Sequence, residues 1–138
     1  MRFWDASAIV PLIVKEQSSL ECGRLLDSTP LVWALTPVEV ISAIERLGRA
    51  GVLNEDARRT AHDQLNTLRG AWAEVDDVQT VRVRAERLLA THQLRAADAL
   101  QLAAALVACD EQPAGVEFVC LDRNLSAAAL REGFSLLP

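Results

Sequence analysis

The chain has 138 residues, of which 51% are hydrophobic and 4% aromatic, and its formal net charge is −5. This length predicts a single domain, 1–138, large enough to bury a core without disulfides or a structural metal. The acidic charge excludes a general affinity for polyanions, so a nucleic-acid contact needs a local basic patch, and no apolar run reaches the ~18 residues of a membrane span.

Short apolar runs bounded by turn residues predict strands, and apolar residues at every third or fourth position predict helices. In chain order the predicted elements are strand Phe3–Trp4, helix Ala6–Val14, helix Ser18–Leu26, strand Leu31–Leu35, a helix from Thr36 to the glycines Gly48 and Gly51, helix Asn54–Leu68, strand Trp72–Val75, helix Val78–Thr91, helix Leu94–Cys109, strand Val116–Leu121, helix Leu125–Arg131 and an edge strand Phe134–Leu137.

Two of these helices carry more specific expectations. Thr36, Pro37 and Glu39 stand at the N-cap, the first helical position and three residues after the cap, which predicts a helix start. In the helix 78–91, Val81, Leu88 and Leu89 are expected to face inward. The alternation of strands and helices predicts an α/β protein with a parallel sheet covered on both faces.

Three acidic residues occupy equivalent places in this pattern: Asp5 after the first strand, Glu39 in the first helical turn after the second, and Asp122 after the strand 116–121. Right-handed crossovers place the C-terminal ends of parallel strands on one edge of the sheet, so these three side chains can meet there. Each also has a local explanation. Asp5 and Asp122 can be helix N-caps, and Glu39 can complete a capping box with Thr36.

Asp98 is a fourth acid, within a predicted helix that is apolar nearly all round. It shares a face with Leu102, Ala105 and Cys109. A lone buried carboxylate is costly unless it is paired, protonated or bound to a metal ion. Arg95, three residues earlier, is the alternative partner.

Four converging carboxylates repel one another unless a divalent cation neutralises them. Oxygen ligands select Mg²⁺ or Mn²⁺ over zinc. Neither His62 nor His92 follows a strand, and both are interpreted as surface residues, which disfavours histidine acid–base chemistry and histidine–zinc sites. The pattern therefore predicts hydrolysis of a phosphodiester by a metal-activated water.

Four segments that contain these acids follow one another along essentially the whole chain: Asp5-Ala6-Ser7, Thr36-Pro37-Val38-Glu39, Leu94-Arg95-Ala96-Ala97-Asp98-Ala99-Leu100-Gln101-Leu102-Ala103 and Phe118-Val119-Cys120-Leu121-Asp122-Arg123-Asn124-Leu125. In this order and at this length they resemble the PIN domain, and within it the VapC-type toxins of bacterial toxin–antitoxin pairs.

The resemblance implies a three-layer α/β/α fold with a central parallel sheet of four to five strands. It implies a Mg²⁺- or Mn²⁺-dependent endoribonuclease that acts on RNA, is usually a homodimer and is neutralised by a cognate antitoxin. Asp5, Glu39, Asp98 and Asp122 would be the catalytic, metal-binding acids, with Ser7 as a polar accessory. Gln101 stands where many relatives carry His.

Arg123 and Asn124 either contact substrate phosphate or are exposed residues without a functional role. Any basic rim for RNA has to be formed by arginines such as Arg2, Arg46, Arg49 and Arg123, because the protein as a whole is acidic.

Two other α/β enzyme classes fit less well. A haloacid-dehalogenase-like phosphatase requires a second Asp where this chain has Ser7, and a response-regulator receiver requires a Lys at a later strand end, whereas the only Lys is Lys15. The alternative that stays open is a catalytically silent PIN-like binding or interaction protein.

The apolar helices near the N-terminus suggest a homodimer or a groove for an antitoxin helix, with core packing as the alternative. The residues concerned are Ile9, Leu12, Ile13, Leu25 and Leu26.

Three cysteines without a C-x-x-C spacing, and no recognisable signal peptide, predict reduced thiols in a cytoplasmic protein. Cys109 and Cys120 lie in apolar runs and are expected to be buried.

Overall fold

The computed structural model describes residues 1–138 and contains five strands and seven helices. In chain order these are β1 Arg2–Trp4, α1 Ala6–Ile13, α2 Ser19–Leu25, β2 Leu31–Trp33, α3 Thr36–Arg49, α4 Glu55–Arg69, β3 Ala73–Val75, α5 Val78–Thr91, α6 Ala96–Ala108, β4 Glu117–Val119, α7 Arg123–Glu132 and β5 Ser135–Leu137.

The five strands form one parallel sheet in the order β3-β2-β1-β4-β5. Phe3 of the central strand stands opposite Leu31 of β2 and Phe118 of β4. Because every strand runs the same way, all five C-terminal ends lie along one edge. This confirms the predicted parallel sheet.

Side chains of the inner strands alternate between two cores, one on each face of the sheet. Helices α5, α6 and α7 cover the first core, which contains Phe3, Trp33 and Phe118. Helices α1, α2, α3 and α4 cover the second, which contains Trp4, Val32 and Val119. Helices therefore pack on both faces, which confirms the three-layer α/β/α architecture.

Local sequence sets the starts of four of the seven helices. The side chains of Asp5, Asn54, Asp77 and Asp122 each accept a hydrogen bond from a backbone N–H in the first turn of the helix that follows. Gly133 ends α7 in the left-handed conformation, with φ 109°. None of the helices combines the length and apolar character needed to cross a lipid bilayer.

The structure corrects several sequence expectations. Leu89 is 44% exposed rather than inward, because α5 packs through one stripe that contains Val81, Ala85 and Leu88. Strand β4 ends at Val119, so two residues separate it from Asp122. All three cysteines are free, and Cys22 and Cys120 are buried, whereas Cys109 is only partly buried.

Candidate functional site

An open cleft of about 1410 Å³ lies where α1, α3, α6 and α7 begin, at the carboxyl edge of the sheet. Glu39, Asp98 and Asp122 line it together with Ser7. Asp5 is 4% exposed and does not line the cleft, although the next two residues along the chain do. Three of the four predicted acids thus open into one cleft, and the fourth is buried at its edge.

Asp5 is both a helix cap and a buried acid. Its Oδ2 accepts hydrogen bonds from the Ser7 backbone N–H at 3.0 Å and the Ser7 hydroxyl at 2.5 Å, and the Cys120 thiol lies 3.6 Å away. Burial raises the pKa of Asp5, and the hydrogen bonds from Ser7 oppose that rise. The capping interpretation is correct for Asp5, but capping does not explain why the carboxylate is buried.

Glu39 does not form the expected capping box. The Thr36 hydroxyl makes no cap hydrogen bond, and Glu39 Oε1 instead accepts from Gln101 Nε2 at 3.2 Å. Burial, and then the charges of Asp5 and Asp98, raise the pKa of Glu39 to about 7. Glu39 is therefore held by a distant helix and not by the backbone of its own first turn.

Asp98 differs from its predicted environment. It lies in the first turn of α6 and is only partly buried, because the fully buried part of this helix begins with Ala99. Burial, and then the charges of Asp122 and Asp5, raise the pKa of Asp98 to about 6. Arg95 opposes this rise only as the smallest contribution, so it is not the strong partner that the sequence allowed.

Asp122 caps α7, since its Oδ1 accepts from the Leu125 backbone N–H at 2.8 Å. It also lines the cleft and raises the pKa of Asp98. Of the two residues after it, Asn124 lines the cleft and Arg123 does not. The structure therefore brings Asn124 to the acids and leaves Arg123 outside.

Three arginines line the cleft beside the acids: Arg46 of α3, Arg95 before α6 and Arg131 of α7. All three are exposed. Arg2 was a candidate for this rim, but it forms ion pairs with Asp27 at 2.7 Å and Glu117 at 2.6 Å. Of these three, only Arg46 is among the arginines that the sequence predicts for a basic rim, and no local sequence pattern marks Arg95 or Arg131 as its neighbours.

His92 also lines the cleft, but its side chain is almost wholly buried, so the prediction that it is a surface residue is wrong. Its side chain is 6% exposed, and its Nε2 lies 2.8 Å from Glu132 Oε2. His62 is partly exposed on α4 and lies 3.2 Å from Glu45. Neither ring is adjacent to a strand end, which agrees with the prediction.

The donor set has the chemistry of a hard-cation site. The cleft offers carboxylate and hydroxyl oxygens, which suit Mg²⁺ or Mn²⁺. The nearby Cys120 is not a thiolate ligand, because burial and the Asp5 charge raise its pKa to about 12. The raised pKa values of Glu39 and Asp98 reflect burial and repulsion that a bound cation would relieve.

The coordination shell is not preformed. With the side chains as they stand, no three His, Cys, Asp or Glu residues form a group that could hold a metal ion. The acids interact electrostatically across the cleft, and a cation would have to draw their oxygens together. Metal binding by Asp5, Glu39, Asp98 and Asp122 stays a prediction.

Two proteins of Mycobacterium tuberculosis are similar to this chain over nearly its full length. Ribonuclease VapC45 (strain CDC 1551 / Oshkosh) and Ribonuclease VapC49 (strain ATCC 25618 / H37Rv) are each 31% identical to it over 138 residues, which cover 99% of this chain and 94% of the relative. No protein-family model matches the chain.

Two solved structures share the fold. The crystal structure of FitAcB from Neisseria gonorrhoeae has a TM-score of 0.68 at 17% identity, covering 100% of this chain and 97% of that chain. The crystal structure of PAE2754 from Pyrobaculum aerophilum has a TM-score of 0.70 at 18% identity, covering 98% of this chain and 87% of that chain.

Proposed function

This chain belongs to the VapC family of PIN-domain ribonucleases, and we propose that it is a Mg²⁺- or Mn²⁺-dependent endoribonuclease, the toxin of a toxin–antitoxin pair. The observation that supports metal dependence best is the convergence of four acids from distant parts of the chain. Burial and mutual repulsion raise the pKa of Glu39 to about 7 and that of Asp98 to about 6. Such an arrangement is unfavourable without a cation and favourable with one.

In this proposal Glu39, Asp98 and Asp122 offer oxygens from the walls of the cleft, and Asp5 offers its carboxylate from its buried position at the edge of the cleft. When bound, the divalent ion would lower the pKa of a water molecule and stabilise charge on the leaving oxygen of the phosphodiester. The Ser7 hydroxyl donates to Asp5 and accepts from the Leu121 backbone N–H at 2.9 Å, so it fixes the orientation of Asp5.

The RNA strand is proposed to run along the arginine rim of Arg46, Arg95 and Arg131. Their guanidinium groups would contact backbone phosphates and hold the strand over the acids, which attract no polyanion by themselves. Asn124 can add a hydrogen bond from the same wall. This rim supplies the local basic patch that an acidic protein needs.

Membership of the family supports two proposed partners, a cognate antitoxin and a second copy of the chain. It also supports a cytoplasmic location as a proposal. Of the apolar residues that motivated a docking groove, Ile9 and Ile13 are buried in the core, while Leu26 is 37% exposed. Leu26 lines a shallow apolar groove with Leu12 of α1 and Leu68 of α4. Co-purification with the product of the neighbouring gene tests the antitoxin proposal, and analytical ultracentrifugation tests the dimer.

RNA cleavage by the purified protein tests the central proposal. Labelled single-stranded RNA is expected to be cut with Mn²⁺ and left intact with EDTA, and Asp98→Asn is expected to lose at least about 100-fold in rate. The matched control is Asp63→Asn, at an exposed position on α4, which should keep full activity.

A catalytically silent binding protein is the second candidate, and it would leave the acids as they stand in this structure, without a three-ligand group for a metal ion. The two candidates make opposite predictions in this assay. No Mn²⁺-dependent cleavage by the wild type, or equal cleavage by Asp98→Asn, would support the binding protein and contradict the nuclease.

A further inference from the structure

Gln101 is a fully buried amide that connects two helices of opposite layers. It lies on α6 at 0% exposure, directly before the apolar run 102–106. Its Nε2 donates to the Thr36 hydroxyl at 3.1 Å and to Glu39 Oε1 at 3.2 Å. Both N–H groups of the amide are thus directed at the first turn of α3.

The orientation of this amide follows from the chemistry of its neighbours. A reversed amide would bring its carbonyl oxygen against the Glu39 carboxylate, and two acceptors repel each other. In the orientation observed, Gln101 Oε1 is buried and has no hydrogen-bond partner. The amide therefore satisfies Glu39 while its own carbonyl stays unpaired, which is unfavourable for a buried polar group.

Packing alone does not explain a glutamine at this place. The next five residues on α6, 102–106, are all buried Leu or Ala, and an apolar side chain at position 101 would fill the same space without an unpaired oxygen. The polar group is informative because its one contact with the cleft is Glu39, and because Asp98 lies three residues earlier on the same helix face.

We propose that Gln101 is a positioning residue that orients the Glu39 carboxylate toward Asp98 for metal binding. This inference rests on the proposed metal site. Helix α6 then supplies Asp98 directly and orients Glu39 through the Gln101 amide. The position of α6 therefore sets the distance between these two carboxylates. Residues that orient metal ligands in this way typically change metal affinity by about 10–100-fold when they are replaced.

The test is a double-mutant cycle read by Mn²⁺ binding without RNA, using isothermal titration calorimetry. Gln101→Leu removes the donors at nearly constant volume, and it is expected to weaken Mn²⁺ binding by about 10–100-fold. In a Glu39→Gln background the same replacement is expected to change Mn²⁺ binding by less than about 2-fold, since the carboxylate ligand that Gln101 orients has been replaced by a neutral amide.

Two controls keep the test decisive. Leu106→Ala perturbs the buried part of α6 away from Glu39, and folded Leu106→Ala should bind Mn²⁺ normally. Thr36→Val removes the other acceptor of the amide and tests the same idea if Gln101→Leu does not fold; it should weaken Mn²⁺ binding by a smaller factor than Gln101→Leu. With RNA, Gln101→Leu should lower kcat and leave KM unchanged, because it does not touch the arginine rim.

The outcomes separate this inference from the function on which it rests. A wild type that neither binds Mn²⁺ nor cuts RNA overturns the proposed function, and the inference with it. A wild type that binds Mn²⁺ while folded Gln101→Leu and Thr36→Val bind it equally well overturns the positioning role alone. An equal loss from Gln101→Leu in both the Glu39 and the Glu39→Gln backgrounds also overturns it, because Gln101 then does not act through Glu39.

Discussion

Replacing Glu39 by Gln is expected to stabilise the metal-free protein near pH 8. Burial, and then the charges of Asp5 and Asp98, raise the pKa of Glu39 from 4.5 to about 7. An acid whose pKa is raised on folding holds its proton more tightly in the folded state, so its ionisation lowers the stability of the fold as the pH rises from 4.5 through about 7. Above this pH range the ionised Glu39 side chain lowers the free energy of unfolding by its full amount.

The size of the effect follows from this shift. At about 1.4 kcal/mol for each pH unit, the rise in pKa corresponds to about 3 kcal/mol in the free energy of unfolding. Since part of the Glu39 side chain is in contact with water, which screens the repulsion, a gain of about 1–2 kcal/mol is expected from Glu39→Gln. The new amide keeps an oxygen that can accept from Gln101, so that hydrogen bond is retained.

The assay is urea denaturation in EDTA, followed by the fluorescence of Trp4 and Trp33, which are each 1% exposed. The gain should be present near pH 8 and absent near pH 4, where Glu39 is protonated and uncharged. Excess Mg²⁺ should stabilise the wild type more than Glu39→Gln, since only the wild type keeps the full ligand set.

Glu86→Gln, at an exposed position of α5, is the matched control and should change stability by less than about 0.5 kcal/mol. If Glu39→Gln is no more stable than the wild type near pH 8 without metal, burial and the neighbouring acids do not destabilise the ionised Glu39 side chain, and the electrostatic argument is wrong.

Three further variants test other parts of the structure. Ser7→Ala removes the hydroxyl that links Asp5 to the Leu121 backbone, and it should lower the free energy of unfolding by about 1–3 kcal/mol in urea denaturation. Arg46→Ala should weaken the binding of single-stranded RNA regardless of its sequence, as measured by fluorescence anisotropy. It should also lower by about 1 the magnitude of the slope of the logarithm of the binding constant against the logarithm of the salt concentration. Arg69→Ala, at an exposed position on α4, is the control and should change neither quantity. Arg2→Ala should cost about 1–3 kcal/mol of stability, because it removes a mostly buried guanidinium with three partners, and it should leave RNA binding unchanged; a loss of RNA binding would place Arg2 on the rim after all.

Much of the secondary structure could be predicted because its causes are local. The helix 78–91 has the predicted bounds, and Asn54 and Gly70 flank α4 as expected, since capping and chain termination depend on neighbouring residues. The convergence of Glu39, Asp98 and Asp122 was also predictable in outline. The handedness of strand–helix–strand crossovers fixes which edge of a parallel sheet carries the C-terminal ends of its strands.

The environment of each acid was not predictable from the same rules. Asp98 was expected deep in an apolar helix and lies in its first turn, and Thr36 was expected to cap α3 but accepts a hydrogen bond from Gln101, 65 residues away along the chain. The same holds for the cations: Arg95 and Arg131 reach the cleft, while Arg2 is held in ion pairs elsewhere.

The sequence by itself therefore determined the α/β architecture, the bounds of most helices and the edge at which the acids gather. Only the tertiary structure decided that Gln101 holds Glu39, that Asp5 is buried against Cys120 and which arginines border the cleft. The physical reason is range: hydrophobic periodicity and capping act over a few residues, whereas a side chain's hydrogen-bond partner and its exposure depend on how distant helices pack against each other.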